Sequence, residues 1–356
     1  MITMNSISPL MKRGTEKSLK NWPSWIGYVA AAWSLLYGAI HLYWLFQGEG
    51  YPFNNDSLGY FSAMITYLPA KVGGIVFVIL CFCGFGLGIS IQKSLEIIFL
   101  RRVFLIFAWV FASFLLLFIP DISLIAVMAY AFLFKFAFNW LMFNQIICII
   151  GALLWILTAV VYYRRTHIAC GYCGRAEEGK PFLLLRWARQ ITIIAAIAPL
   201  PYALTRFAWA LNIPLGVDAE FLKDFNTINP MAQLTEWVFG TICVAGGILT
   251  LGLIMKWGEI FPRWFPFIGS KRVPILLAVI PASIVAIAIT AAGVVFTFSF
   301  FAVTFHLLPA DGVLLGSISG TVGPMLIWVP WGVLLGLAAL AYYYRRRGQC
   351  VHCGRK

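Results

Sequence analysis

The sequence predicts an all-α, polytopic membrane protein of about eight transmembrane helices, arranged as two parallel-repeat four-helix halves with a small cytoplasmic pair of C-x-x-C knuckles. Three observations predict it. The chain is 62% hydrophobic and 11% charged, whereas ordinary soluble domains are about 25% charged. Its basic residues gather at the ends of apolar runs, 22 of the 26 Lys and Arg falling in segments 12–20, 93–102, 164–189, 256–272 and 345–356. One stretch also occurs twice: YYRRTHIACGYCGR (162–175) returns 180 positions later as YYYRRRGQCVHCGRK (342–356), with Tyr162 on Tyr342, Arg165 on Arg345, Cys170 on Cys350 and Cys173 on Cys353.

A net charge of +13 would suggest nucleic acid in a soluble protein. Here the basic residues follow the positive-inside pattern of membrane proteins, so no nucleic-acid partner is expected. The five basic segments are assigned to the cytoplasm. The intervening stretches, which hold Glu49, Asp121, Asp218, Glu236 and Asp311, are assigned to the outside.

Residues 1–23 read as a polar, basic cytoplasmic tail. The first membrane half, 24–165, opens with a span over 25–46 that is long enough to cross and lacks a small-residue cleavage site, so it is expected to remain as a helix. A turn-rich outer loop follows, then a second span over about 71–91, whose glycines permit close helix approach. Arg101-Arg102 open the third span. Nineteen residues from Val103 to Asp121 at about 1.5 Å each cover roughly 28 Å, the thickness of the hydrocarbon core. Residues 122–140 either cross again or lie at the outer face as an interfacial or re-entrant segment. Charge favours the second choice, because another crossing would put Arg164, Arg165 and the first knuckle outside. The last span, about 145–163, leads to a cytoplasmic linker, 166–185, that carries this knuckle.

The second half, 186–345, repeats the order. An offset of 165 places Tyr37 on Tyr202, His41 on Arg206, Trp44 on Trp209 and Lys71 on Glu236. Spans are expected over about 191–211, from near Glu236, from Pro274 and over 324–344. The stretch at 300–318 poses the same question as 122–140. The tail at 346–356 holds the second knuckle. Because each half begins and ends in the cytoplasm, the repeat is parallel, not of the inverted kind found in many transporters.

The cysteines divide into two sets. Cys81, Cys83, Cys148 and Cys243 lie inside apolar runs, where a thiol acts as a small hydrophobe. Cys170, Cys173, Cys350 and Cys353 form the knuckles, and their cytoplasmic assignment favours thiolates that bind metal over disulfides. Four thiolates complete a closed tetrahedral site, so one structural zinc is expected to staple the halves. The rival readings are knuckles that share metal with another subunit of a homo-oligomer, and a redox dithiol pair. His167 and His352 are near enough to substitute as ligands but are not needed.

Ionisable residues inside membranes are costly and point to polar cavities. His41 and Arg206 are the candidates here, with Asp121 and His306 at the outer ends of long apolar runs. Lys71 and Glu236 could pair across the axis between the halves, or stand as solvated helix ends. The bland alternative for Arg206 is snorkelling to the interface, and for His41 a single satisfied hydrogen bond. The aromatic residues are read as interfacial belts. No Walker loop, dinucleotide fingerprint, HExxH or G-x-S-x-G is present, and no enzyme is expected.

The run IGYVAAAWSLLYGAIHLYWLFQGEGYPF (26–53), together with WGEIFPRWFP and KRVP between Trp257 and Pro274, resembles multi-pass membrane proteins of Gram-positive bacteria that carry a domain of unknown function. The resemblance implies a plasma-membrane location and a small helical bundle, and it carries over no catalytic residues. The knuckles depart from that pattern. Two functional classes follow: a carrier, exporter or self-protection protein acting on a small molecule between the halves, and a membrane sensor or scaffold whose metal-thiolate module reads metal or redox state or binds a partner.

Overall fold

The computed structural model describes residues 21–54, 62–92, 98–124, 127, 139–175, 183–228, 231–263, 269–307 and 320–355. Among these the fold is helical, apart from one isolated bridge between Ile260 and Arg272. Ten α-helices run in order: α1 Trp22–Gln47, α2 Ala70–Gln92, α3 Ile98–Leu117, α4 Trp140–Thr166, α5 Leu183–Ile197, α6 Leu200–Ala210, α7 Ala219–Ile228, α8 Ala232–Leu251, α9 Ile275–Thr304 and α10 Trp328–Arg346. They supply eight segments long and apolar enough to cross a membrane, α5 and α6 together making one (Leu184–Ala210).

Local chemistry sets the ends of these helices. α1 carries Pro23 in its first turn, where a missing N–H costs nothing. It stops at Gly48, whose φ of 76° lets its N–H turn back to Trp44 O at 2.9 Å. α4 begins where the Asn139 side chain accepts from Met142 N at 2.8 Å, and it ends on Arg164 and Arg165, cations at the negative end of the helix. The break between α5 and α6 falls at Pro199, which has no N–H to continue the ladder.

In the first quartet α1 packs on α2, α3 on α4, and α1 on α4. In the second, α5 and α6 pack on α8, α9 on α10, and α5 on α10. Each quartet has its own core. One is built on Tyr37, Phe77, Phe104, Phe111 and Trp155, the other on Tyr202, Phe296, Trp328, Trp331 and Tyr342. The quartets meet chiefly where α3 lies against α9, with Tyr67 and Phe298 rings 5.2 Å apart.

Helices attract in lipid through close packing, not through expulsion of water, so small residues mark the contacts. A Cβ at Gly88 would lie 2.9 Å from Ala31 Cβ, and one at Gly332 2.7 Å from Ala286 O. Polar contacts add specificity: Trp155 Nε1 donates to Ser34 Oγ at 3.0 Å, tying α4 to α1. The opposite surface is apolar, with Leu36, Ile79, Ile106 and Leu249 exposed as lipid requires.

The described residues bear on the segment after α3. Ile65 N, in the turn before α2, donates to Phe118 O at 3.2 Å. Trp140 Nε1, at the start of α4, donates to Gly50 O at 3.2 Å. Phe118 and Trp140, which flank 119–139, therefore both lie at the end of the bundle where α1 joins α2. Most of 119–139, like residues 308–319 with Asp311, falls outside the described residues. α9 accounts for the apolar run from Ile275 to Thr304 as one helix with Pro281 inside it.

Candidate metal centre

α4 and α10 finish at the same end of the bundle, and each runs directly into a knuckle. In the first, Gly174 N donates to Cys170 O at 2.7 Å and Cys170 N donates to Arg175 O at 3.0 Å. The second repeats this with Gly354 N to Cys350 O at 2.8 Å and Cys350 N to Arg355 O at 3.0 Å. Gly174 and Gly354 have φ of 73° and 68°, a left-handed conformation that disfavours side chains with a Cβ. The third residue after each first cysteine thereby turns its thiol back toward its partner.

The knuckles face one another. Arg175 Nη1 donates to Arg355 O at 2.6 Å and Arg355 Nη1 to Arg175 O at 3.0 Å, a reciprocal pair. The Tyr172 and His352 rings stack at 3.6 Å and 8°. Arg347 donates to Cys173 O, while Arg164 donates to Gly171 O and Tyr172 O, both at 3.0 Å. Below the first knuckle, Tyr172 OH reaches Asn21 Oδ1 at 3.1 Å, and Arg165 reaches Pro23 O. The start of α1 and the ends of α4 and α10 are thus joined at one place.

The four Sγ atoms of Cys170, Cys173, Cys350 and Cys353 all lie within 4.8 Å of one another, and Cys173 Sγ and Cys353 Sγ are 3.5 Å apart. Zn–S bonds of about 2.3 Å in a tetrahedron need sulfurs about 3.8 Å apart. The donor set and its spacing therefore fit a four-coordinate thiophilic ion. Hydrogen bonds prepare two of the thiols: the backbone N–H groups of Cys353 and His352 bring Cys350 down to about 6. Cys170 is also lowered, the N–H groups of Cys173 and Tyr172 outweighing its burial. Burial pushes Cys173 up to about 12, so it needs a cation to ionise at neutral pH. His352 is stacked on Tyr172, and His167 accepts from Arg101 Nη2 at 3.0 Å. Four cysteines suffice without either.

The residues proposed for a cavity are distributed differently. His41 is fully buried in the first core. Its ring stacks on Phe77 at 4.1 Å, with Tyr37 at 4.7 Å, Trp44 at 4.9 Å and Tyr51 at 5.7 Å edge-on, and neither ring nitrogen has a hydrogen-bond partner. Arg206 is buried in the second quartet between Tyr202 and Trp209, 4.6 and 4.3 Å from their centroids. Its Nη1 meets Glu236 Oε2 at 3.1 Å. Glu236 thus pairs within its own quartet, and not with Lys71, which is exposed at the start of α2. Asp121 is buried just beyond α3 and accepts from Ser123 N at 2.8 Å. His306 is exposed beyond the end of α9. Of these six residues the fold joins Arg206 to Glu236. A pocket of about 380 Å³ between Asn212, Pro214 and α7 contains none of them.

Two sets of residues that the repeat offsets align take on their roles only in the structure. The offset of 180 pairs Tyr172 with His352 and Arg175 with Arg355, the residues that dock the knuckles. The offset of 165 pairs Tyr37 with Tyr202 and Trp44 with Trp209, the rings that sandwich His41 and Arg206. No protein-family model matches the chain, and no curated protein or solved structure does either.

Proposed function

We propose that the chain is a plasma-membrane scaffold or sensor, with both termini in the cytoplasm, whose parallel halves are clamped by one zinc held by Cys170, Cys173, Cys350 and Cys353. The observation that carries this reading is the convergence of four thiols from positions 180 apart. A closed four-thiolate site leaves no open position for substrate; when bound there, zinc supplies folding and tethering energy instead of catalysis. Several supports are independent of the cysteines. The two quartets use the same three helix pairings, and the arginines that mark the expected cytoplasmic side brace the knuckles. The resemblance to Gram-positive multi-pass proteins agrees with the location. The scaffold class is preferred because the module couples three helix ends.

A second reading, a carrier, exporter or self-protection protein for a small molecule, is favoured by His41. Two unpartnered ring nitrogens inside a span are what a polar ligand or water would relieve. One experiment separates the classes. Metal content, abundance and activity are compared in wild type and Cys170→Ser. If the variant loses zinc and its abundance collapses, the clamp is structural. If abundance holds but the response to zinc or oxidant disappears, the module is a sensor. Zinc-free wild type would sink the metal reading of the site.

A further inference from the structure

We propose that the cysteine cluster is also an oxidation site, at which a disulfide between Cys173 and Cys353 ties the two halves covalently. The proposal draws on the same cluster as the metal reading but requires no metal. Cys173 Sγ and Cys353 Sγ lie 3.5 Å apart. Their backbones are held in place by the reciprocal Arg175 and Arg355 bonds and by Arg347 on Cys173 O. A disulfide needs a particular approach of two Cβ–Sγ arms, and most pairs of cysteines lack it. Here the facing knuckles bring the two Sγ atoms to 3.5 Å before any reaction.

Access orders the two thiols. Cys353 is half-buried and Cys173 is 8% exposed, so a small oxidant reaches Cys353 first. Sulfenic acid formation followed by attack of a neighbouring thiol is the ordinary route. With hydrogen peroxide as oxidant, the Cys353 sulfur attacks one oxygen; an S–O bond forms, the O–O bond breaks and one water leaves. The Cys173 sulfur then attacks the sulfenic sulfur as its thiol proton passes to the departing hydroxide; the S–S bond forms, the S–O bond breaks and the second water leaves. Two thiols and one peroxide give one disulfide and two waters, with two electrons passing to the peroxide. In a reducing cytoplasm such a bond is transient, which suits a sensing role better than a permanent brace. The intramembrane thiols Cys81 and Cys148 are buried in the first core and have no place in this chemistry.

The test uses the full chain with a protease site inserted between residues 176 and 182 and with Cys170→Ser, Cys350→Ser, Cys83→Ser and Cys243→Ser, which leaves Cys173 and Cys353 besides the buried Cys81 and Cys148. After hydrogen peroxide and cleavage, the halves should migrate together on a non-reducing gel and separate with dithiothreitol. Halves that separate without reductant overturn the proposal. A second measurement does not depend on this variant. Oxidised wild-type chain is digested without reduction and mapped by mass spectrometry. A Cys173–Cys353 peptide pair is expected, whereas only Cys170–Cys173 and Cys350–Cys353 bonds would overturn the idea. Zinc content of the unoxidised wild type is measured alongside: its absence defeats the metal reading and leaves the disulfide standing, while zinc without the cross-link does the reverse.

Discussion

Replacing Cys350 and Cys353 by Ser removes the tie between the ends of α4 and α10, and the structure sets the size of the effect. A link from Cys173 to Cys353 closes a loop of 180 residues. In the chain-entropy account, closing a loop of that length is worth about 5 kcal/mol. Helices that remain in the bilayer when tertiary contacts fail are already confined, so this figure is a ceiling, and a loss of about 2 to 3 kcal/mol is the working expectation. For a chain of this size that corresponds to a fall in Tm of the order of 5 °C. The assay is thermal unfolding of purified protein with and without a zinc chelator, next to metal analysis. Wild type should hold one zinc per chain and lose stability with the chelator, and the double variant should hold none and ignore it. Loading should also strengthen as pH rises, because burial keeps Cys173 protonated up to about 12 and the metal must displace that proton. If wild type and the variant respond identically to the chelator, the knuckles are not a clamp.

Glu236→Gln leaves the buried guanidinium of Arg206 without its anion. Breaking a buried pair in this way costs about 3 to 5 kcal/mol, so abundance and Tm should fall sharply; a cost under about 0.5 kcal/mol would mean that the pair is solvated. His41→Phe keeps an aromatic ring in the cage and removes two unpartnered nitrogens, each of which costs about 1 to 3 kcal/mol when buried without a partner. Stability should hold or rise. A fall of more than about 1 kcal/mol would show that His41 has a partner, such as an ordered water, and a loss of activity at normal stability would favour the carrier reading. A topology reporter fused after Lys180 or at Lys356 should read cytoplasmic, and an external signal at either site would reverse the proposed orientation.

The spans were legible because lipid imposes a simple rule, about 20 apolar residues bounded by charge, and Arg101, Arg164, Lys271 and Arg345 supply the boundaries. The cysteine cluster was legible because its spacing recurs. What the sequence concealed depends on packing. The break at Pro199 divides a run that reads as continuous, and α7 is only 10 residues long, too short for its apolar period to stand out from a loop. Of the two alternatives for Lys71 and Glu236, a pair across the axis or solvated helix ends, the second holds for Lys71 and neither holds for Glu236, for a related reason. Sequence offset places the two residues together, yet Lys71 is the second residue of α2 and Glu236 the fifth of α8. Three residues are about 4.5 Å of helix, enough to move a side chain from the solvated end to the buried flank. There Arg206 is close enough to neutralise it.

That displacement also bears on how the two quartets differ. Both place an ionisable side chain between a tyrosine four positions before it and a tryptophan three after it, in contact with each ring. An aromatic sandwich of this kind favours a cation, by up to about 2 kcal/mol when desolvated. In the second quartet the sandwich holds a permanent cation, and Glu236 reaches deep enough to balance it, so that site is closed. In the first quartet the sandwich holds an imidazole, which can be neutral, and Lys71 lies too near the surface to serve or oppose it. Tyr51 and Phe53 cover the imidazole instead, and Tyr51 OH is itself without a partner. A buried group left in that condition must either be held at a cost by the surrounding packing or be relieved by something that enters. The His41→Phe variant distinguishes these outcomes, because a packing cost disappears with the imidazole whereas a lost partner lowers stability or activity.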